Sequence, residues 1–212
     1  MVFVSKIIVG IAGAGRRTGC THTGIVIANF LRDRKQPVAF LEMDGKGTFE
    51  TIRTAYRTEN FEDGFTLNGV DFFPQSSGEK LKELSGRSYN FYLLDFGDYA
   101  LADQELFQKC DVKILCSGIK PWETVLLEKI FRELDEESLQ KCNFCFFGAG
   151  AADSRKLKKE ISGQMEPLKN LWFPEYVDDP FSCATLPEGA EIFDGYLEGT
   201  TGKKKRKKFG HG

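Results

Sequence analysis

The sequence predicts an α/β fold, a doubly wound and mostly parallel sheet with helices on both faces. Three observations carry this reading. Short apolar runs alternate with amphipathic segments along the chain. The first run passes through a glycine-rich turn directly into a helical pattern. Polar and acidic residues gather just beyond the runs, at the strand ends where sheets of this kind bind ligands.

Residues 6–12 (KIIVGIA) form the first strand, a run apolar enough to be buried on both faces. A helix over about 21–34 follows, with Ile25, Ile27, Ala28, Phe30 and Leu31 apolar. Residues 38–43 (VAFLEM) are the second strand, ending at the acidic pair Glu42 and Asp44. A short third strand covers 69–73, and a fourth covers 89–94 (YNFYLL) and runs into Asp95. A fifth covers 112–116 and is followed by Ser117 and Lys120; a sixth covers 144–147, and a short last one 171–173. Helical patterns fill 79–85, 103–109, 122–139 and 154–166.

At 212 residues the chain has the length of one domain, assigned to 1–198. Residues 199–212 read as a flexible polybasic tail, hinged at Gly199-Thr200-Thr201-Gly202. Of the 29 basic side chains, six are consecutive in that tail: Lys203, Lys204, Lys205, Arg206, Lys207 and Lys208. The other 23 face 31 acidic ones, a balance of −8, so the charge pattern is an acidic globule with a basic end. Composition that is 41% apolar excludes disorder for most of the chain, and no run reaches the roughly 18 apolar residues of a membrane span. The amino terminus shows no cleavable small-residue site, so a cytoplasmic protein is expected, with peripheral attachment at the inner face of the membrane open to it. Cys20, Cys110, Cys116, Cys142, Cys145 and Cys183 are expected to be free thiols, most of them in or beside apolar strands. Cys142-x-x-Cys145 has zinc-like spacing, but a strand turns these two side chains to opposite faces.

The turn Ala14-Gly15-Arg16-Arg17-Thr18-Gly19-Cys20-Thr21 has the length and place of a phosphate-binding loop. It meets the pattern G-x-x-x-x-G-K-[ST] in part. Gly19 and Thr21 fit, whereas Ala14 stands at the first glycine and Cys20 at the lysine. Taken alone, the turn is equally an ordinary strand-to-helix connection. Cys20, at a helix start beside two arginines, is expected to have a lowered pKa. Asp95-Phe96-Gly97 matches the kinase DFG triplet, but no H-R-D loop or strand lysine accompanies it.

With its surroundings, the turn resembles the ParA/MinD family of deviant P-loop ATPases. Residues 38–44 look like that family's second strand with its acid-x-Asp ending, and Tyr92-Leu93-Leu94-Asp95 looks like its Walker B strand. Residues 110–116 and 173–181 resemble later strands and their flanks, so the resemblance spans roughly 5–198 in outline. Variants associated with pilus assembly and septum or pole placement come nearest, because they too depart from the standard loop. The resemblance implies ATP and Mg2+ as ligands, with Gly15, Arg16, Arg17, Thr18, Gly19, Cys20, Thr21 and His22 around the phosphates. It implies Thr21 and Asp95 as Mg2+ residues and Asp44 as the catalytic group that orients the attacking water. It implies a homodimer closed across the nucleotide edge. Its partners would be a pilus, secretion or cell-pole protein, with an anionic membrane surface or DNA reached through the tail.

The departures from the family loop K-G-G-x-G-K-[ST] are specific. Gly15 replaces the signature lysine, Arg16 and Arg17 replace two glycines, and Cys20 replaces the in-loop lysine. The asparagine that reads adenine is also missing, with Gly148 at about its place. Loss of a well-placed cation typically costs phosphoryl transfer about 10³-fold or more, so hydrolysis is expected to be weak or absent. Either the arginines supply the missing charge, or their bulk closes the pocket. The alternative to a nucleotide-binding positioning or assembly factor is a pseudo-ATPase scaffold that dimerises and docks partners without nucleotide.

Overall fold

The computed structural model describes residues 6–146, 149–150, 153–157, 159, 170–174, 177–182 and 191–201. The sheet is ordered around its first strand, β1 (Ile7–Gly13), which is buried along nearly its whole length. The parallel neighbours of β1 are β6 (Phe91–Asp98) and β7 (Val112–Ser117). Beyond β6 lie β2 (Val38–Glu42) and β5 (Val70–Phe73), both parallel, then β4 (Gly64–Leu67) and β3 (Glu59–Phe61) in an antiparallel meander. Beyond β7 lie β8 (Cys142–Phe146) and β9 (Leu171–Trp172).

Helices cover both faces, as the sequence predicts. On one face, α1 (Cys20–Asp33), α2 (Thr48–Ala55) and α7 (Glu191–Thr201) bury Ile27, Phe49 and Phe193 against Val9, Phe40 and Leu93. On the other, α3 (Gly78–Leu84), α4 (Gln104–Gln108) and α5 (Pro121–Glu133) bury Leu84, Phe107 and Ile130 against Leu41, Leu94 and Leu115. Consecutive residues of a strand point to opposite faces, so Cys145 joins the first layer and Cys142 the second. This is the opposite-face arrangement that the strand periodicity predicts for the pair.

The structure corrects several boundaries. The helix read over 122–139 is two, because Leu134 is extended and Asp135 caps a separate α6 (Glu136–Gln140), its side chain accepting from Ser138 N. Asp95 lies within β6 and not after the strand. The sequence reading omits α2, β3, β4 and α7, the last of which carries helix into the stretch 199–201 that the sequence reads as a hinge; β3 is largely exposed, and Phe49 is the buried residue of α2. Of the helix read over 154–166, residues 153–157 are helical and most of the rest lies outside the described residues. Helix α7 continues through Thr201, and the polybasic residues 203–208 lie outside the described residues, as does Gly148.

Candidate phosphate-binding site

Strand order β2-β6-β1 brings three carboxyl ends together, and each contributes one part of the site. After β1 the chain folds tightly back over the strand end. Ala14 N donates to Cys116 O (2.8 Å), and Thr18 Oγ1 donates to Gly15 O (3.1 Å). A β-carbon on Gly13 would lie only 2.1 Å from Thr18 Oγ1. Gly19 takes a left-handed conformation (φ 89°) at the cap of α1, as glycine does readily. Arg17, where the family loop has its second glycine, is also left-handed (φ 60°). The loop therefore has a glycine-type backbone at a position occupied by arginine.

Arg16 and Arg17 are exposed, and among the described residues neither forms an ion pair in the structure. Their side chains leave a cavity of about 300 Å³ open, lined by residues 15–22 together with Asp44, Lys46, Thr48, Asp95, Gly97 and Asp98. All eight loop residues expected at a nucleotide thus line one cavity, with both Asp44 and Asp95. Ser117 is buried, and neither it nor Lys120 lines this cavity.

Cys20 differs from expectation. Its side chain is buried beneath the loop, where Sγ meets Cys116 and the Gly97 carbonyl (3.5 Å), and does not approach the arginines. The contact with Cys116 and burial hold its thiol well above the ordinary range. The prediction of a lowered pKa is corrected for that reason, since a helix start and nearby guanidinium groups favour a thiolate only when the sulfur faces them.

Thr21 Oγ1 donates to Asp95 Oδ2 at 2.5 Å, and Asp95 Oδ1 accepts from Gly97 N at 3.0 Å. Asp95 is 2% exposed, and burial raises its pKa to about 6. A hydroxyl and a carboxylate in contact at the cavity floor are hard oxygen donors of the kind Mg2+ takes alongside phosphate oxygens and water, so these residues fit that ion. Among the described residues no cluster of three or more His, Cys, Asp or Glu side chains is placed to hold a metal ion. His22 lines the cavity half-buried, and burial lowers its pKa, favouring the neutral imidazole.

The two acids at the end of β2 and just beyond it have separate tasks. Glu42 is buried; its Oε1 accepts from Thr48 N and Phe49 N, and its Oε2 from Gln75 N. It caps α2 and pins the β5–α3 turn. Asp44 faces the cavity, with Oδ2 bound to Lys46 Nζ at 2.6 Å and Oδ1 accepting from Lys46 N at 3.2 Å. The hydrogen bond to Asp44 raises the Lys46 pKa, and Asp95 and Asp98 add to the effect. Sequence reasoning missed Lys46, Thr48 and Gly97 as lining residues. A signal for Lys46 existed in the lysine two places after Asp44, set between Gly45 and Gly47.

Among the described residues no helix is long and apolar enough to cross a membrane. No protein-family model and no curated protein matches the chain. Solved structures do. A putative plasmid partition protein from Borrelia burgdorferi B31 bound to AMPPNP is 14% identical with a TM-score of 0.58, over 92% of this chain and 98% of that one. A chain of the MinC:MinD cell division protein complex from Aquifex aeolicus matches at 9% identity with a TM-score of 0.58, over 91% of this chain and 86% of that one. The pNOB8 ParA bound to nonspecific DNA matches at 12% identity with a TM-score of 0.55, over 90% and 91%. Likenesses at such identities speak for the fold alone, a mostly parallel α/β sheet with helices on both faces like those of these solved partition and cell-division proteins.

Proposed function

We propose that this protein is a nucleotide-binding positioning or assembly factor of the ParA/MinD type, taking ATP with Mg2+ and hydrolysing it weakly or not at all. The observation that carries the reading is one cavity in which loop residues 15–22, Thr21 among them, meet Asp44 and Asp95. Loop N–H groups would surround the phosphates, Thr21 and Asp95 would hold Mg2+, and Asp44 would orient water. Mg2+, when bound, supplies charge neutralisation at the phosphate oxygens. The two exposed arginines bring positive charge to the mouth without filling the cavity. With Cys20 turned inward, no loop lysine supports the transition state, so slow turnover follows.

Homodimerisation across this edge fits the surface. Helix α5 exposes Trp122, Val125 and Leu126, three and four residues apart and so on one side of the helix. A β-carbon on Gly15 would lie 2.8 Å from Leu126 Cδ1, which puts the apolar group directly beside the loop. Two of the structural neighbours were solved with macromolecular partners, one with DNA and one as a cell-division protein complex. By analogy the tail residues 203–208 would engage DNA or an anionic membrane surface, and the body a pilus, secretion or cell-pole protein. Deleting 203–212 should lower binding to either polyanion in a salt-dependent way; unchanged binding would remove the tail from the proposal.

A second reading, a scaffold that works without nucleotide, is favoured by one observation: Asp44 already has a cation partner from within the chain, Lys46. Calorimetric titration of ATP with Mg2+ into the protein, and into a variant with Arg16→Ala and Arg17→Ala, separates the two readings. Binding lost in the double variant would mean the arginines have taken over phosphate charge. No heat up to millimolar ATP would favour the scaffold, and charge reversal at both arginines should then alter sedimentation without nucleotide.

A further inference from the structure

We propose that Lys46 is the cation of this site that reads the terminal phosphate, standing in from the β2–α2 turn for the lysines the loop has lost, and that its transfer to phosphate releases Asp44. The inference rests on the nucleotide reading above. Its first support is position. Lys46 Nζ lies 2.6 Å from Asp44 Oδ2 and 2.8 Å from where a β-carbon on Gly97 would stand, so the ammonium lies over β6 inside the cavity. Any side chain at 97 would displace it, since the Asp44 carboxylate itself is 2.3 Å from that point.

The second support is freedom to move. Lys46 is flanked by Gly45 and Gly47, both left-handed, with open space around each. Its side chain is 47% exposed while its partner Asp44 is 13% exposed. A long, half-solvated lysine on a carboxylate can exchange that partner for a phosphate oxygen with small rotations of its stem. The third support is charge. Asp44, Asp95 and Asp98 all line the cavity, and three carboxylates would repel a polyphosphate. Lys46 is the lining cation paired with one of them, whereas Arg16 and Arg17 line the cavity from the β1–α1 loop and form no ion pair among the described residues.

The consequence concerns order of events. While Lys46 holds Oδ2, Asp44 has that oxygen occupied by an ammonium and is poorly placed to orient water. A terminal phosphate that draws Lys46 away frees the carboxylate as the substrate arrives. ADP lacks that phosphate and would leave the Lys46–Asp44 pair intact.

Calorimetric titration of Mg-ATP and of Mg-ADP into the wild type and Lys46→Met, a variant of similar length without charge, tests this directly. The expected result is ATP affinity lowered about tenfold or more and ADP affinity within about twofold, the loss being that of one charge-assisted contact. Lys46→Arg should recover part of the ATP affinity. Unchanged ATP affinity, or equal losses for ATP and ADP, would overturn the role of Lys46 while leaving nucleotide binding in place. A wild type that binds neither nucleotide would overturn the nucleotide reading and this inference with it. Thermal melts of both variants matching the wild type would show that any loss is not a folding defect.

Discussion

Two turns of the molecule share a backbone plan and differ in their side chains. The β1–α1 and β2–α2 turns each follow a buried parallel strand and enter a helix through a left-handed glycine, Gly19 or Gly47, with no side-chain cap from that residue. In the first turn the cations, Arg16 and Arg17, point to solvent and a thiol lies inside. In the second, an outward acid is bound by a lysine and an inward acid, Glu42, supplies the missing cap. The backbone of a phosphate-type loop can therefore persist while its charges are redistributed to a neighbouring turn. Backbone shape is set by local sterics, whereas charge needs only a side chain that reaches the cavity.

The largest effect should come from testing how rigid the first turn is. Gly13→Ala would put a methyl 2.1 Å from Thr18 Oγ1, 2.8 Å from Gly15 O and 2.9 Å from Cys20 Sγ. The backbone oxygen cannot rotate away, so the loop must shift. A loss of about 3 kcal/mol in urea unfolding is expected, and a variant as stable as the wild type would show the turn to be more compliant than the comparison assumes. The second turn should break at Glu42→Gln. The amide loses the charge that strengthens three backbone contacts, and its NH2 must face one of those donors. About 2 kcal/mol should be lost, with α2 loosened; a change below about 0.5 kcal/mol would make Glu42 a bystander.

The difference between the turns also explains what the sequence could and could not disclose. Strands whose residues are apolar on both faces, such as β1 and β6, were legible because burial dictates composition. The loop, Thr21, Asp44 and Asp95 were legible because their order along the chain follows a known family pattern, and they do line one cavity. Side-chain direction was not legible. Cys20 reads as a thiol of lowered pKa until its Sγ is seen under the loop, and the acids Glu42 and Asp44 read as a pair until one proves to be a cap. Lys46 was overlooked because a lysine between glycines resembles any solvated turn; only the fold places it over β6.

Between the two turns stands Asp95, whose titration reports how dry the cavity floor is. Burial raises its pKa to about 6 in the folded protein, above the 3.8 of an ordinary aspartate. The native state thus takes up a proton between about pH 6 and pH 4 that the unfolded chain does not, so this group's effect favours folding as pH falls through that window and opposes it above. Asp95→Asn removes the titration. It should stabilise the protein by about 1–2 kcal/mol at pH 8 after allowing for weakened contacts to Thr21 and Gly97, with the gain shrinking toward pH 4. A pH-independent difference between the two proteins would mean that water reaches the carboxylate freely.

The smallest expected effect is the sharpest test of the separation between backbone and charge. Arg17 sits at φ 60°, where an L residue is strained by about 1 kcal/mol, and glycine adopts this conformation without that strain but with a larger entropy loss on folding. Arg17→Gly should therefore stabilise the fold by only about 0.5 kcal/mol. The same change removes an exposed guanidinium from the cavity wall. If the loop arginines carry phosphate charge, ATP affinity should fall as stability rises, and the opposite signs would place shape and charge in different atoms of one residue. Should stability and affinity both rise, the arginine obstructs the site, and the positive charge that remains for phosphate is on Arg16 and Lys46.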